Sequence, residues 1–221
     1  MNPAERAMAE LAKGSMVVVY DGDEREGEAD LVLSARYAKP ETIETLRKDA
    51  GGLICAAISL EKAKEAGLPF FTDMLEKADV RLSSLVCRKT AYGDKPAFSL
   101  PINHCNVYTG ITDNDRSLTL RMLDETIRGR MKDFHAQFYS PGHVFLLIGR
   151  GIGNRKGHTE LALELGRGAG LDGAMVLCEM LGPGRALSKE EAASYARERG
   201  LAFVEGKDVV AHFLGQPEPS G

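Results

Sequence analysis

The chain has no run of about 20 consecutive apolar residues, the length a membrane-spanning helix needs, so no membrane partner is expected. Its first residues, MNPAERAMAELAKG, are charged and have no apolar core, which argues against a secretory signal. Positive charge is in deficit, with 28 Lys and Arg against 32 Asp and Glu and a net charge of −4. Such a chain has no general attraction to nucleic acid, and an anionic ligand would need a local cationic site. Cysteine is sparse: Cys55, Cys87, Cys105 and Cys178 form no CxxC pair, which argues against a zinc ribbon or a thioredoxin-type site. Their scatter through apolar or mixed segments fits reduced thiols in a cytoplasm. Repeats, low-complexity blocks and Pro/Ser-rich linkers are also missing. The reading is a soluble cytoplasmic protein with one domain over residues 1–215 and a disordered tail, QPEPSG, over 216–221.

What is present is an alternation of helical and extended segments. Pro3 to Lys13 carries Ala4, Ala7, Met8 and Leu11 on one stripe, with Gly14 beyond its end, and predicts a helix. Ser15 to Tyr20 reads as a strand ended by the turn residues at Asp21, and Leu31 to Ala38 as extended. Pro40 to Ala50 reads as a helix closed by Gly51-Gly52, followed by a buried strand from Leu53 and a short helix capped by Ser59. Residues 68–101 are less regular and suggest a long loop. Beyond them come a helix from Ser117 to Arg128, a strand from His143, a helix from Thr159 to Ala169 and a strand in GAMVLCEM. Ser188 and Glu191 form a capping box, and Asp208 starts the last helix. This interleaving lacks a strict βαβ rhythm. It predicts an α+β fold with three layers, a mixed twisted sheet covered by helices.

Five segments carry chemistry. In DGDEREGEAD, an extended backbone from Asp21 to Asp30 would put Glu26, Glu28 and Asp30 on one face and Gly27 and Ala29 on the other. Three carboxylates on one face repel each other unless a cation or proton intervenes, and Mg²⁺ suits oxygen ligands of this kind. Arg25 adds a positive charge for an anionic ligand. A solvated charged turn explains the same residues without a ligand. The second segment, RGIGNRKGHTE from Arg150, follows an apolar strand and opens a helix that Thr159 can cap. Helix N-termini favour anions, and Arg155 and Lys156 supply charge, although the GKS/T ending of a P-loop is missing. His158 beside that cradle is a possible metal ligand or a structural histidine. In YTGITDNDR, Thr109, Thr112, Asp113 and Asp115 read most simply as helix caps. The last two segments deliver His143 after a turn and Glu179 after an apolar strand, where it would be solvated or, in a pocket, an acid or base.

These segments, in this order, resemble the 3,4-dihydroxy-2-butanone-4-phosphate synthase family of riboflavin biosynthesis. The resemblance rests on VVYDGDEREGEADLVLSA, GGLICAAIS, TGITDNDRSLTL, SPGHVF, GIGNRKGHTELALELGRGAGL and MVLCEM, spread over Val17 to Met180. Leu146, where the bacterial pattern has proline, LGPGRALSKEE after the CE pair, and the archaeal-like YGDKPAFSLPINHCN depart from the bacterial branch and point to a monofunctional archaeal-like form. The GTP cyclohydrolase II half of the bifunctional fusions is not expected.

The resemblance implies a division of labour. Glu26 and His158 match metal ligands for Mg²⁺ or Mn²⁺, two ions per site, with no organic cofactor. Arg25, Glu28 and Asp30 match substrate-contacting positions, and Arg155, Lys156, Gly157, His158 and Thr159 the phosphate cradle. His143 and Glu179 match positions essential for catalysis, with Glu28, Asp30 and Cys55 as further catalytic candidates. Thr112 and Cys55 match pocket-lining positions. The implied reaction takes ribulose 5-phosphate to the four-carbon phosphate and formate through an enediol, dehydration, a skeletal shift and loss of the fourth carbon, on a homodimer with active sites near the subunit interface. An Mg²⁺-dependent isomerase that stops at the enediol, or a non-catalytic binding protein on the same fold, would share some of these residues.

Overall fold

The computed structural model describes residues 1–86, 90, 93–129 and 131–215. Cys87 and the tail expected over 216–221 lie outside the described residues. In chain order the main elements are α1 (Pro3–Ala12), β1 (Val17–Tyr20), β2 (Ala29–Ser34), α2 (Pro40–Thr45), β3 (Cys55–Ser59), α3 (Leu60–Glu65), α4 (Phe71–Ala78), α5 (Val80–Ser83) and β4 (Phe98–His104). Then follow α6 (Asp113–Arg128), α7 (Phe134–Gln137), β5 (Phe138–Gly149), α8 (His158–Gly168), β6 (Met175–Glu179), the hairpin β7 (Leu181–Gly182) and β8 (Arg185–Ala186), α9 (Lys189–Glu198), β9 (Ala202–Glu205) and α10 (Gly206–Leu214).

Seven strands form one mixed sheet in the order β4-β5-β3-β6-β2-β1-β9. The pairs β3–β5 and β1–β9 are parallel, while β1–β2, β2–β6, β3–β6 and β4–β5 are antiparallel. The strands are apolar on both faces because helices cover both. Val18, Leu31, Ile58, Leu146 and Val176 pack into one cluster with Ile43 of α2, Leu120 and Leu123 of α6 and Ala192 of α9. Val17, Val32, Ala57 and Leu177 point the other way, against Leu11 of α1, Leu161 and Leu165 of α8 and Val209 of α10. These two apolar layers on one sheet are the expected three-layer arrangement.

Several boundaries differ from expectation for local reasons. The second strand begins at Ala29, and Ala35–Tyr37 turns into a 3-10 helix, so Leu31 to Ala38 is not extended throughout. Asp21 to Asp30 is not an extended run either: residues 23–26 form a turn, and strand geometry starts at Ala29. The second helix changes to a π-helical turn over Leu46–Ala50 before the left-handed Gly51. The stretch 68–101 holds two helices and the start of β4 in place of a long loop. Helix α6 starts at Asp113, four residues early, because Thr112 accepts the Asp115 N–H at 3.1 Å and caps it. Strand β5 runs for 12 residues and begins at Phe138, ahead of His143. The last helix begins at Gly206, two residues before Asp208, directly after the unexpected strand β9. Thr159 does not cap α8: Gly157 occupies the N-cap, and Thr159 sits buried in the first turn.

Candidate active site

The site lies where the apolar rows of the sheet end on the face that α8 covers. Along β2 the row containing Val32 reaches Asp30, along β6 the row containing Leu177 reaches Glu179, and along β3 the row containing Ala57 reaches Cys55. Register brings them together, since Asp30 is directly opposite Glu179 and Cys55 opposite Leu177. Directly paired residues on one face interact, so two carboxylates here repel. The first turn of α8 closes the group from above with buried His158, whose Nε2 is 3.1 Å from the Glu28 carbonyl oxygen and 3.7 Å from Asp30 Oδ1.

Asp21 organises the acidic loop. Its Oδ2 accepts the Glu26 N–H at 3.1 Å and its Oδ1 the Glu28 N–H at 3.2 Å, which folds Glu26 back over the strand end. Convergence of Glu26 with Asp30 therefore comes from a turn, whereas the sequence reading relied on strand alternation. Asp21 itself is buried, and with Glu26 and His158 it offers ligand atoms all within 4.8 Å of one another. Sequence reasoning passed over it as part of a turn; its place two residues ahead of two charged side chains gave no periodic signal.

Glu179 is fixed by backbone. The Leu53 N–H donates to its Oε2 at 2.7 Å, and the Gly52 N–H donates to its carbonyl oxygen at 3.0 Å. A Cβ at Gly52 would collide with that carboxylate, so this glycine is needed for close approach. The electrostatics follow from burial and crowding. Burial, reinforced by Glu179, Glu26 and Glu28 and opposed by His158, raises the Asp30 pKa to about 7. Burial and the Glu26 charge push Glu28 up as well. For His158 burial favours the neutral ring, but Asp30, Asp21 and Glu26 outweigh it and raise the pKa. Cys55 is pushed well up by burial beside Glu179, so its thiol stays protonated.

Glu26, Asp30, Cys55, Arg155, His158, Thr159 and Glu179 all line one cavity of about 200 Å³. Arg25 and Lys156 line a neighbouring cavity of about 500 Å³, which Arg155 also borders. Asp94 joins the two: its Oδ2 is 2.9 Å from Arg25 Nη1 and 3.5 Å from Arg155 Nε. Gly157, the N-cap of α8, lies against the Arg155 guanidinium. His143 and Thr112 line neither cavity. His143 is exposed on β5, with Nδ1 3.2 and 3.3 Å from the two amide atoms of Asn103. Thr112 is exposed at its cap, and Asp115 accepts the N–H groups of Thr109 and Gly110 at 3.2 and 2.9 Å, so the YTGITDNDR segment shapes its own loop.

The donor set fits a hard divalent cation. Asp21, Glu26 and His158 converge, and buried Asp30 Oδ1 accepts no hydrogen bond from the described residues. An excess of buried negative charge with an oxygen that no hydrogen bond satisfies is what oxygen-seeking cations relieve.

The sequence model of the 3,4-dihydroxy-2-butanone 4-phosphate synthase family matches residues 5–212. The chain belongs to this family. The family's enzyme from Methanothermobacter thermautotrophicus is 41% identical over 218 residues, covering 95% of both chains. The Archaeoglobus fulgidus enzyme is 40% identical over 223 residues, covering 95% of this chain and 93% of that one. A crystal structure of 3,4-dihydroxy-2-butanone 4-phosphate synthase in complex with two magnesium ions superposes with a TM-score of 0.79 at 28% identity, covering 98% of this chain and all of the other. No helix among the described residues is long and apolar enough to cross a membrane.

Proposed function

We propose that this protein is a Mg²⁺-dependent lyase of riboflavin biosynthesis, converting D-ribulose 5-phosphate to L-3,4-dihydroxy-2-butanone 4-phosphate and formate. The observation that carries the reading is the convergence of Glu26, Asp30, His158 and Glu179 on one cavity whose wall is shared with Arg155. Family membership at 41% identity over nearly the whole chain supports it.

Asp21, Glu26 and His158 would hold Mg²⁺ or Mn²⁺, two ions per site, and a solved relative in complex with two magnesium ions supports magnesium as the metal. When bound, the metal supplies Lewis acidity that stabilises negative charge developing on adjacent substrate oxygens. The chain's own residues do the rest. Arg155, with Arg25 and the start of α8 at Gly157 to Thr159, binds the phosphate. Glu179, oriented by the Leu53 N–H, is placed to move a proton at the reacting carbons. Asp30, with a pKa near 7 before any cation is bound, and Glu28 are further proton acceptors. Cys55 contributes a neutral wall.

His143 and Thr112 enter through a second copy of the chain. Tyr108, Ile111 and Tyr139 are 96%, 51% and 44% exposed, Asn103 bonds both Tyr139 and His143, and Gly110, between Tyr108 and Ile111 in the chain, packs against Asn103. An apolar surface of this kind marks an interface, and a homodimer would cover it. The deciding experiment incubates purified protein with ribulose 5-phosphate and Mg²⁺ and assays formate. Stoichiometric formate and the four-carbon phosphate are expected. A product that keeps all five carbons would replace the reading with an isomerase.

A further inference from the structure

We infer that Glu160 is the positioning residue that sets which edge of Arg155 faces the substrate, an inference that rests on the proposed reading of the Arg155 cradle. Glu160 is the third residue of α8 and only 1% exposed. A glutamate at that position of a helix ordinarily reaches back to the N–H of the capping residue. Here it reaches further. Its Oε1 accepts the Arg150 N–H at 2.9 Å, and its Oε2 accepts Arg155 Nη1 at 2.7 Å. These donors come from the two ends of the glycine-rich loop between β5 and α8, so one carboxylate staples the loop shut.

Removing a buried charge's partner is costly, and both oxygens of Glu160 are matched by donors. The consequence falls on Arg155. With Nη1 held from behind by Glu160, its remaining edge turns toward Glu26, 3.9 Å from Nη2, and Asp94, 3.5 Å from Nε. That is the cavity side. Gly157 supplies an independent sign of the same constraint. Its φ of −86° is open to any residue, yet a Cβ there would collide with the Arg155 guanidinium. The glycine is needed because the arginine folds beneath it onto Glu160.

The test uses the full chain with Mg²⁺ and two readouts. In Glu160→Gln the amide oxygen still accepts the Arg150 N–H, but the charged bond to Arg155 is lost. KM for ribulose 5-phosphate should rise about 10-fold or more, the scale of one charge-assisted hydrogen bond, with a much smaller change in kcat. Gly157→Ala, which displaces the same guanidinium without touching Glu160, should raise KM in the same way. Introduced into Arg155→Gln, Glu160→Gln should have little further effect on KM. Amide hydrogen exchange over residues 150–157 should accelerate in Glu160→Gln while the sheet stays protected. Unchanged KM with unchanged exchange, or an equal KM effect with and without Arg155, overturns the inference. A variant that loses only melting temperature overturns it too. If the wild-type protein makes no formate, the parent reading fails, while the exchange measurement still decides the staple.

Discussion

Replacing Gly52 with alanine should disable the enzyme while lowering its stability only modestly. The added Cβ would stand 2.6 Å from the Glu179 carbonyl oxygen and 2.7 Å from the Glu179 Cβ, and it would overlap the carboxylate. Real Cβ contacts essentially never fall below 3.0 Å, so the backbone contact alone demands a shift of about 0.4 Å. Gly52 has no left-handed φ, so the strain is steric alone. Two relaxations are open. The segment around Gly52 withdraws from β6, lengthening the 2.7 Å bond from the Leu53 N–H to Oε2, or the carboxylate swings away. Either one misplaces Glu179. Overpacking of this kind costs about 1–3 kcal/mol, and at this chain length each kcal/mol lowers Tm by roughly 2–4 °C. Losing a positioned acid or base costs about 10²–10⁴ in rate. The two scales separate the outcomes: a modest fall in Tm by calorimetry beside a fall of two or more decades in kcat for formate release. Glu179→Gln is the companion variant. Its amide oxygen still accepts the Leu53 N–H, so Tm should hold while kcat falls as far. A Gly52→Ala enzyme within about twofold of wild-type kcat would refute the positioning argument, because that loss is far below the general acid–base range.

Other outcomes follow from the same site. Excess EDTA should abolish formate release and Mg²⁺ should restore it, and His158→Ala should weaken metal binding measured by calorimetry; full turnover in EDTA would remove the metal from the reaction. Unphosphorylated ribulose should be a very poor substrate, and equal kcat/KM for ribulose and its 5-phosphate would strip Arg155 and the α8 start of their role. Asp30 is raised from 3.8 to about 7, so the folded metal-free protein retains a proton that the unfolded chain has lost between those values. Stability of the metal-free protein should therefore fall as pH rises through that window, and Asp30→Asn should flatten the fall. Urea midpoints measured across the window check this, and a slope that Asp30→Asn leaves unchanged would contradict the assignment.

Much of the fold was legible because the apolar pattern and the caps agree. Pro3 at the start of α1, Ser59 at α3 and the Ser188–Glu191 box at α9 all act as read. What escaped notice depends on partners distant in sequence. Strand β9 is four residues long and takes its place by parallel pairing with β1, which no local pattern announces. Strand β4 carries Pro101 and two register shifts against β5, which hide its alternation. In the site, Glu26 was visible through the expected strand alternation, His158 beside the glycine-rich cradle and Glu179 at the end of an apolar strand. Asp21, Asp94 and Glu160 were not, because their part is to hold loop backbone or charged side chains in place, and such pairing appears only once the loops are folded. His143 and Thr112 were legible as motif residues, yet within one chain they stand apart from the cavity.

This arrangement also explains why the charges can be stored in a folded protein at all. Asp30 and Glu179 face each other across β2 and β6, on a sheet whose neighbouring positions are aliphatic. Like charges directly opposite on a strand pair are destabilising, and burial adds to the cost. The fold offsets it locally, with His158 drawn toward the charged form by Asp30, Asp21 and Glu26, and with an N–H from Leu53 on Glu179. The offset is incomplete: burial, then the neighbouring carboxylates, still raise Asp30 to about 7, and its Oδ1 accepts no hydrogen bond from the described residues. A site satisfied by its own protein would have little affinity left for a cation. Here the residual repulsion sits at the ends of β2 and β6, so a cation entering between Asp21, Glu26 and His158 would relieve it, with His158 giving up its proton to bind.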